Sequence, residues 1–297
     1  MGTVITHTEL VENHSHSAID NAVEAGIRCI QNAGIAPEQI GVLINAGVFR
    51  DDNIMEPSIA SLIQSQVKLG LDFSEDAPDN YCFSFDVING ACSLLNAVQV
   101  ADSLLKNNSA QYVLIVAGDC HPSKQPNADF PFLCVGSAML LEHSNDASKG
   151  FQAISYLSAS NDEESTLLSY GDLNQFGSNG RSHALFEMGE NHIDACLSLA
   201  QSHLKDYLSQ HPQAHVDYLI GNDLEPGFSR KICDEIVPTK DTQVVDLNTI
   251  FNGDVHTSSC IVGYNFLMSE LINPEGTTVL FSSVGSGNAS ICALYQL

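Results

Sequence analysis

Segments with apolar residues at helical spacing alternate with short apolar runs along the first half of the chain. Residues 18–33 carry apolar side chains at intervals of three and four, and Gly34 ends the pattern, which predicts an amphipathic helix. The run at 41–48 is short and mainly apolar, which is typical of a buried strand. The further elements predicted in this half are a helix opened by Pro57, a strand over 83–87, a helix over 91–106, and two strands, YVLIVAG and SAMLLEH.

The second half repeats this order of elements with different residues. The elements predicted there are a helix over 184–208, a strand over 217–222, a short helix opened by Pro226, a strand over 244–247, a helix that begins near His256, and the strands TTVLFSSV and ASICALYQL. Alternating helices and strands indicate an α/β sheet covered on both faces. The repetition predicts two halves, 1–150 and 151–297, related by a pseudo-twofold axis, with the acidic segment 161–165 near their junction.

Cys92 and His256 open the third helix of their respective halves. A pseudo-twofold axis would let these helix starts face each other, with thiol and imidazole at hydrogen-bond distance. At a helix N-terminus, unpaired N–H groups and the helix dipole favour the thiolate, which is the nucleophilic form of cysteine. Such a pair suits attack on a thioester carbonyl. A buried structural cysteine is the alternative interpretation of Cys92.

The turn Gly285-Ser286-Gly287 between the last two strands offers backbone N–H groups. The N–H of Ser286, together with the N–H of Cys92, is a candidate oxyanion donor. A plain hairpin turn has the same sequence. No third ligand accompanies the histidine pairs 14/16 and 211/215, so the sequence predicts no metal site.

The composition and net charge of the chain argue against several classes of function. The chain has 297 residues, of which 44% are apolar, and its net charge of −25 argues against nucleic acid and anionic membrane as partners. Nine cysteines at scattered positions, an odd number without a CxxC motif, argue against disulfides and favour a reducing cytoplasm. No apolar run approaches the ~20 residues needed to cross a bilayer, and the first residues lack a signal-peptide pattern.

Four stretches resemble the thiolase superfamily, and in particular 3-oxoacyl-(acyl-carrier-protein) synthase III. The reactive-cysteine stretch of that family is similar to FDVINGACSLLNAVQVADSLLKNNSAQYVLIVAGD, which contains Cys92, and the closing glycine-loop hairpin is similar to TTVLFSSVGSGNASICALYQL. The segment of the family's catalytic histidine is similar to VDYLIGNDLEPGFSRKI, where this chain has Asn222. The asparagine segment is similar to GDVHTSSCIVGYNFL, where it has His256. The resemblance implies a thiolase-like duplicated αβαβα layered fold from about residue 17 onward.

The sequence departs from the family in four respects. The exchange of histidine and asparagine weakens the case for decarboxylative condensation and leaves acyl transfer to the cysteine in place. The family's N-terminal strand and the following loop, which shape the coenzyme A entrance, are expected to be largely missing, and its Gly-Asp-Gly-Ala-Gly stretch is reduced to residues 134–138. Only Arg230 and Lys231 stand where relatives dock an acidic carrier protein, which weakens the expectation of that partner.

Together, these residues predict an acyltransferase or condensing enzyme of fatty-acid-like or polyketide-type biosynthesis. Cys92 would take an acyl group from a coenzyme A or carrier-protein thioester, His256 would activate the acceptor, and Asn222 would orient it. No cofactor is expected beyond the thioester substrate, and a homodimer or a heterodimer with a related chain is expected. The alternative is a non-catalytic or half-catalytic partner subunit of such a heterodimer.

Overall fold

The computed structural model describes residues 2–12, 14–71, 81–123, 130–160, 166–177, 183–236, 241–285 and 287–297. Ser286 and the acidic segment 161–165 lie outside the described residues. The strands of the first half are β1 (Gly2–Glu12), β2 (Ile40–Asn45), β3 (Phe83–Asp86), β4 (Tyr112–Asp119) and β5 (Val135–Ser144). Those that follow are β6 (Gly150–Ser158), β7 (Leu167–Gly171), β8 (Ala184–Met188), β9 (Tyr218–Gly221), β10 (Gln243–Val245), β11 (Thr278–Gly285) and β12 (Ala289–Gln296).

Eight α-helices lie within the described ranges. They are α1 (Ala18–Ala33), α2 (Ile59–Val67), α3 (Ser93–Lys106), α4 (Leu173–Phe176), α5 (His192–Gln210), α6 (Phe228–Ile236), α7 (Leu247–Phe251) and α8 (Ser259–Glu270). The start and end of α1 agree with the sequence prediction, because Ser17 caps its first turn and Gly34 takes the left-handed conformation (φ 70°) that ends it. None of the helices in the described part of the chain is long and apolar enough to cross a membrane.

Ten of the described strands form one sheet whose order is symmetric. The order is β10-β9-β11-β12-β6-β1-β5-β4-β2-β3, so each strand of the first half has a counterpart at the mirrored position. At the centre β1 and β6 run antiparallel, with Thr3 opposite Phe151. The repeated order of elements expected from the sequence is therefore a duplicated unit, with one additional strand at the beginning of each half.

Two sequence predictions about strands were wrong. The N-terminal strand is present, since β1 pairs with β5 from Gly2–Ser144 to Glu12–Val135. Its polar side chains are buried or half-buried except for Glu12, and they interrupt the continuous apolar run that identifies a buried strand. The helix predicted over 184–208 begins only at His192, because residues 184–188 form β8 and pair with β7.

Three clusters of buried side chains divide the protein into five layers. The central cluster joins α3 and α8 with one face of both halves of the sheet. A second cluster joins α1 and α2 with the opposite face of the first half, and a third joins α5 and α6 with the opposite face of the second half. Along β4, Val113 and Ile115 belong to the central cluster, whereas Leu114 and Val116 pack with α1. This alternation gives the expected αβαβα order, with α3 and α8 in the middle layer.

One pair of cysteines contradicts the expectation that all nine are single. The last residue pair of β4 and β5 is Asp119 and Val135. Cys120 follows Asp119, Cys134 precedes Val135, and the structure joins the two cysteines in a disulfide. All nine cysteines lie in the described part of the chain, and the other seven are free and buried. Spacing along the chain did not reveal this pair because the antiparallel register of β4 and β5 brings it together.

Candidate active site

A tight turn after β3 brings Cys92 to the start of α3. Gly90 takes a positive φ of 54°, and the backbone N–H groups of Cys92 and Ser93 donate to the carbonyls of Asn89 and Gly90 at 3.1 and 3.0 Å. The hydroxyl of Ser93 accepts from the N–H of Asn89 at 2.6 Å. Six residues connect the end of β3 to the start of α3, and the positive φ within this turn is a conformation that glycine adopts without steric cost.

The thiol of Cys92 is fully buried between the two halves. Its Sγ lies 3.5 Å from the carbonyl oxygen of Ser283 and 3.4 Å from that of Ala289. Burial raises the pKa of Cys92, and the nearby thiols of Cys260 and Cys196 raise it further. The sequence predicted a lowered pKa from the helix N-terminus alone; that prediction was wrong, because desolvation outweighs the helix dipole at this depth. The resting group is a neutral thiol.

The predicted oxyanion donors are the backbone N–H groups of Cys92 and Ser286, and the structure describes only the first of them. The backbone N–H of Cys92 is already bonded to the carbonyl of Asn89. Ser286 lies outside the described residues, although the neighbouring Gly285 is close enough that a Cβ on it would lie 3.5 Å from the Cys92 sulfur. Gly285 therefore lies beside the thiol, and the oxyanion role stays a prediction.

His256 lies in a 3₁₀ turn (His256–Ser258) that leads into α8, and it is held on several sides. Its Nδ1 lies 3.0 Å from a carboxylate oxygen of Asp119, the last residue of β4. Thr257 donates to the other oxygen of Asp119 through its N–H and its hydroxyl. The backbone N–H of His256 donates to Asp254 at 2.7 Å, and the Phe132 ring stacks on the imidazole at 3.9 Å.

This environment sets the charge of the imidazole. Burial lowers the pKa of His256, but the attraction of Asp119 and the hydrogen bond to it outweigh burial, so the pKa is raised above its usual 6.5. Burial also raises the pKa of Asp254 to about 6. Because the Asp119 carboxylate only accepts hydrogen bonds, Nδ1 carries a proton, and Nε2 is the nitrogen that exchanges one.

Cys92 and His256 belong to one neighbourhood without a direct bond. Ser283 contacts Cys92 through its carbonyl, and its hydroxyl lies 3.3 Å from the sulfur of Cys260, at the start of α8. Helix α3 also packs against the turn His256–Ser258. In the described part of the chain, no hydrogen bond joins the thiol to the imidazole. The structure thus brings the two helix starts together, while the catalytic pairing stays a prediction.

Asn222 follows β9 and lies against the end of β11. Its side-chain N–H donates to the carbonyl of Val284 at 2.8 Å, and its side-chain oxygen accepts from the N–H of Val284 at 2.9 Å. The amide therefore extends the pairing of the two parallel strands up to the glycine turn. Both ends of the amide are therefore bonded to the backbone of Val284. The role of Asn222 in orienting an acceptor stays a prediction.

About a third of the chain is similar in sequence to known acyl-transferring enzymes. No family model matches the chain. It is 31% identical over 113 residues to the acyl-CoA:acyl-CoA alkyltransferase of Xanthomonas campestris pv. campestris, which covers 38% of this chain and 30% of that protein. It is 32% identical over 98 residues to a beta-ketoacyl-[acyl-carrier-protein] synthase III of Rhizorhabdus wittichii, which covers 33% of this chain and 27% of that protein. The matches span less than a third of these relatives.

Solved structures extend the likeness to the whole chain. The priming beta-ketosynthase of the R1128 polyketide pathway superposes with a TM-score of 0.82 at 11% identity and covers 100% of this chain and 96% of that one. An OleA variant of Xanthomonas campestris gives 0.77 at 17% identity and covers 100% and 99%. The chain has the thiolase-like fold. Cys92, His256 and Asn222 are candidate site residues on the evidence of their own geometry.

Sequence reasoning missed three groups beside the site. Asp119 ends a buried strand directly before a loop, which is a position where a carboxylate is a candidate site residue. Phe132 covers the imidazole and also lines a cavity of about 620 Å³. His192 is buried at the start of α5, with the sulfur of Cys196 3.9 Å from its ring nitrogens. In the described part of the chain, no three histidine, cysteine or acidic side chains come together as metal ligands.

Replacing Asp119 with asparagine will lower the pKa of His256. Burial lowers this pKa, and the attraction and hydrogen bond of Asp119, with a smaller contribution from Asp254, raise it, so loss of the Asp119 carboxylate leaves desolvation to dominate. A pH titration of the imidazole by NMR will show a midpoint at lower pH than in the wild type. Asp102→Asn, which alters a partly exposed ion pair with Lys106, is the control and will leave the His256 midpoint unchanged. An unchanged midpoint in Asp119→Asn contradicts the assigned pairing.

Replacing Asn222 with alanine will destabilise the protein by about 1–3 kcal/mol, because two backbone groups of Val284 lose buried partners. Chemical denaturation measures the change in unfolding free energy. Asn32→Ala on the exposed face of α1 is the control and will change it by less than about 0.5 kcal/mol. Wild-type stability of Asn222→Ala would mean that the amide does not support β11.

Proposed function

We propose that this protein is a condensing acyltransferase that accepts an acyl group from a thioester on Cys92 and passes it to an acceptor. The observation that carries the proposal is the convergence of two helix starts in the middle layer. One presents a cysteine, and the other presents an imidazole paired with a buried carboxylate. The names of the sequence relatives, an acyl-CoA:acyl-CoA alkyltransferase and a beta-ketoacyl synthase III, support the same class of reaction.

The loading step begins from a neutral thiol. Because the pKa of Cys92 is raised, the S–H proton leaves as the sulfur bonds to the thioester carbonyl, and Nε2 of His256 is the proposed acceptor of that proton. The tetrahedral intermediate then releases the carrier thiolate, which takes the proton back and departs as a thiol. Asp119 stabilises the imidazolium formed between these two events.

The transfer step uses the same imidazole. Neutral His256 removes a proton from the acceptor, and the acceptor attacks the carbonyl of the acyl-cysteine. The bond between that carbonyl and Cys92 breaks, and the sulfur recovers a proton from the imidazolium. A base of this kind suits an acceptor whose acidic proton lies on the α-carbon of a second acyl thioester, and it also serves an acceptor alcohol or amine.

We infer that the thioester is carried by coenzyme A rather than by an acidic carrier protein. The net charge is −25, and a carrier protein presents an extended acidic surface that like charge repels. Of the two basic residues expected at a docking surface, Lys231 is already paired with Glu225. Loading from an acyl carrier protein should therefore be slower than loading from acyl-coenzyme A and should accelerate as salt screens the repulsion.

Incubation of the full chain with acyl-coenzyme A thioesters of increasing chain length tests the proposal. Intact-protein mass spectrometry will show one acyl adduct, and a thiol assay will show release of an equal amount of coenzyme A. The matching free fatty acids with free coenzyme A are the control, because they lack the thioester bond and will leave the mass unchanged. No adduct with any thioester overturns the proposal.

The complete burial of the thiol also favours a second candidate, a partner subunit without its own turnover. Such a chain would support an active thiolase-like sister chain, and its cysteine would be a core residue. Co-expression with a candidate sister chain distinguishes the two functions. Activity of the mixture that persists when Cys92 is replaced favours the partner subunit, whereas loss of that activity favours the acyltransferase.

A further inference from the structure

The cysteines Cys120 and Cys134 form a cross-strand pair at the edge of the candidate site. They lie just beyond the last residue pair of β4 and β5, Asp119 and Val135, and their Cα atoms are 4.4 Å apart. This separation is typical of directly opposed residues in antiparallel strands and lies within the range that a disulfide spans. The antiparallel register of β4 and β5 therefore brings the two sulfurs within bonding distance.

The surroundings of the pair suit both redox states. Asn21 is fully buried on α1, and its side-chain nitrogen lies 3.3 Å from the sulfur of Cys120 and 3.4 Å from that of Cys134. The carbonyl of Ser15 lies 3.6 and 3.1 Å from the same sulfurs, within reach of thiol protons. Asn21 is fixed in turn by the N–H of Ser15. An amide donor and a carbonyl acceptor thus serve two thiols as well as a disulfide.

One sulfur of the pair is accessible. Both cysteines line the cavity of about 620 Å³, and Cys134 is half-buried, whereas Cys120 is only 1% exposed. The seven other cysteines are buried, and burial raises the pKa of each. A small oxidant that enters the cavity therefore meets this pair before it meets any other thiol in the described part of the protein.

The pair joins the two chain segments that hold His256. Cys120 directly follows Asp119, which bonds to the imidazole, and Cys134 lies two residues after Phe132, which stacks on it. Leu133 between them donates its N–H to the carbonyl of Asp254 at 2.8 Å. A bond between the sulfurs fixes these segments to each other, whereas two separate thiols leave the segment that carries Phe132 free to move away from β4.

We propose that Cys120 and Cys134 are a reversible redox pair whose oxidation state controls how rigidly His256 is held. Oxidation by glutathione disulfide proceeds in two exchanges. The thiolate of one cysteine attacks the disulfide and releases one glutathione, and the second cysteine attacks the resulting mixed disulfide and releases another. The two thiols lose two protons and two electrons in total, and one glutathione disulfide becomes two glutathione molecules. This inference goes beyond the proposed acyl transfer and does not depend on it.

Redox titration of the full chain tests the chemistry. The protein is equilibrated in glutathione buffers of increasing disulfide fraction, free thiols are alkylated, the remaining disulfides are reduced and alkylated with a second reagent, and peptides are identified by mass spectrometry. We expect one transition, confined to Cys120 and Cys134 and reversed by dithiothreitol. Oxidation that is spread over other cysteines overturns the proposal. So does a pair that carries only the first reagent, and is therefore reduced, at every buffer ratio.

Hydrogen exchange tests the coupling to the site. Backbone amides of 130–136 and 254–258 will exchange about tenfold faster in the reduced protein than in the oxidised protein. In Cys120→Ser and in Cys134→Ser, each measured separately, the two conditions will give the same exchange, whereas Cys233→Ser on α6 will retain the wild-type difference. Equal exchange in oxidised and reduced wild type contradicts the coupling. Neither measurement uses an acyl thioester, so a failure of the proposed function leaves both results interpretable.

Discussion

Cys92→Ala will carry no acyl adduct after incubation with acyl-coenzyme A, and its turnover will fall by at least about 10³-fold. The proposed reaction passes through a covalent bond to this sulfur, and alanine supplies no nucleophile in its place. Intact-protein mass spectrometry measures the adduct, and release of coenzyme A measures turnover. Because burial raises the pKa of Cys92 and keeps it a neutral thiol, the wild-type loading rate will depend on neutral His256 as the base and will increase with pH through the raised pKa of the imidazole.

Cys260→Ala is the matched control for this prediction. Cys260 is also free and buried, and it also contacts Ser283, so its replacement removes a similar volume from the same layer. The control variant will keep the adduct. An adduct that persists in Cys92→Ala, or one that disappears only in Cys260→Ala, assigns the nucleophile to another cysteine and contradicts the proposal.

His256→Gln will reduce acyl transfer by about 10²–10⁴-fold, the range typical of a lost general base. Glutamine keeps a polar side chain of similar length but cannot accept and return a proton. Steady-state kinetics with a saturating acceptor measures the loss, and the rising limb of the wild-type pH profile should disappear with it. In the wild type that limb reports conversion of imidazolium to neutral imidazole, at a pH above the usual 6.5 because the pKa is raised.

His192→Gln is the control, since His192 is likewise buried and lies beside Cys196, a neighbour of Cys92. A larger loss in His192→Gln than in His256→Gln would transfer the role of base to His192.

The stability of the fold supplies a second measurement that does not involve catalysis. Because the folded-state pKa of His256 is raised, its protonation stabilises the fold fully below pH 6.5, and this stabilisation is lost as pH rises through the folded-state pKa. His256→Gln will remove that part of the pH dependence of unfolding.

Local pattern was sufficient for most of the helices and for most strands of the sheet. The bounds of α1, the start of α3 beside Cys92 and the repeated order of elements all depend on neighbouring residues, and the sequence predicted them. β1 escaped prediction because its polar side chains are tolerated at half-buried positions in the middle of the sheet. The β7–β8 pair escaped because a strand of five residues directly before α5 resembles a continuation of the helical pattern.

The chemistry of the site depended on contacts between distant residues. The sequence by itself determined which residues open the two helices of the middle layer and that a thiolase-like fold joins them. Only the tertiary structure paired His256 with Asp119, 137 positions away, and joined Cys120 to Cys134. It also reversed the expected pKa of Cys92, because the helix dipole acts locally, whereas desolvation depends on everything that packs around the sulfur. The sequence shows that a helix begins beside Cys92, and this is enough to predict the effect of the helix dipole. It does not show which distant residues will cover the sulfur, so it does not predict the desolvation.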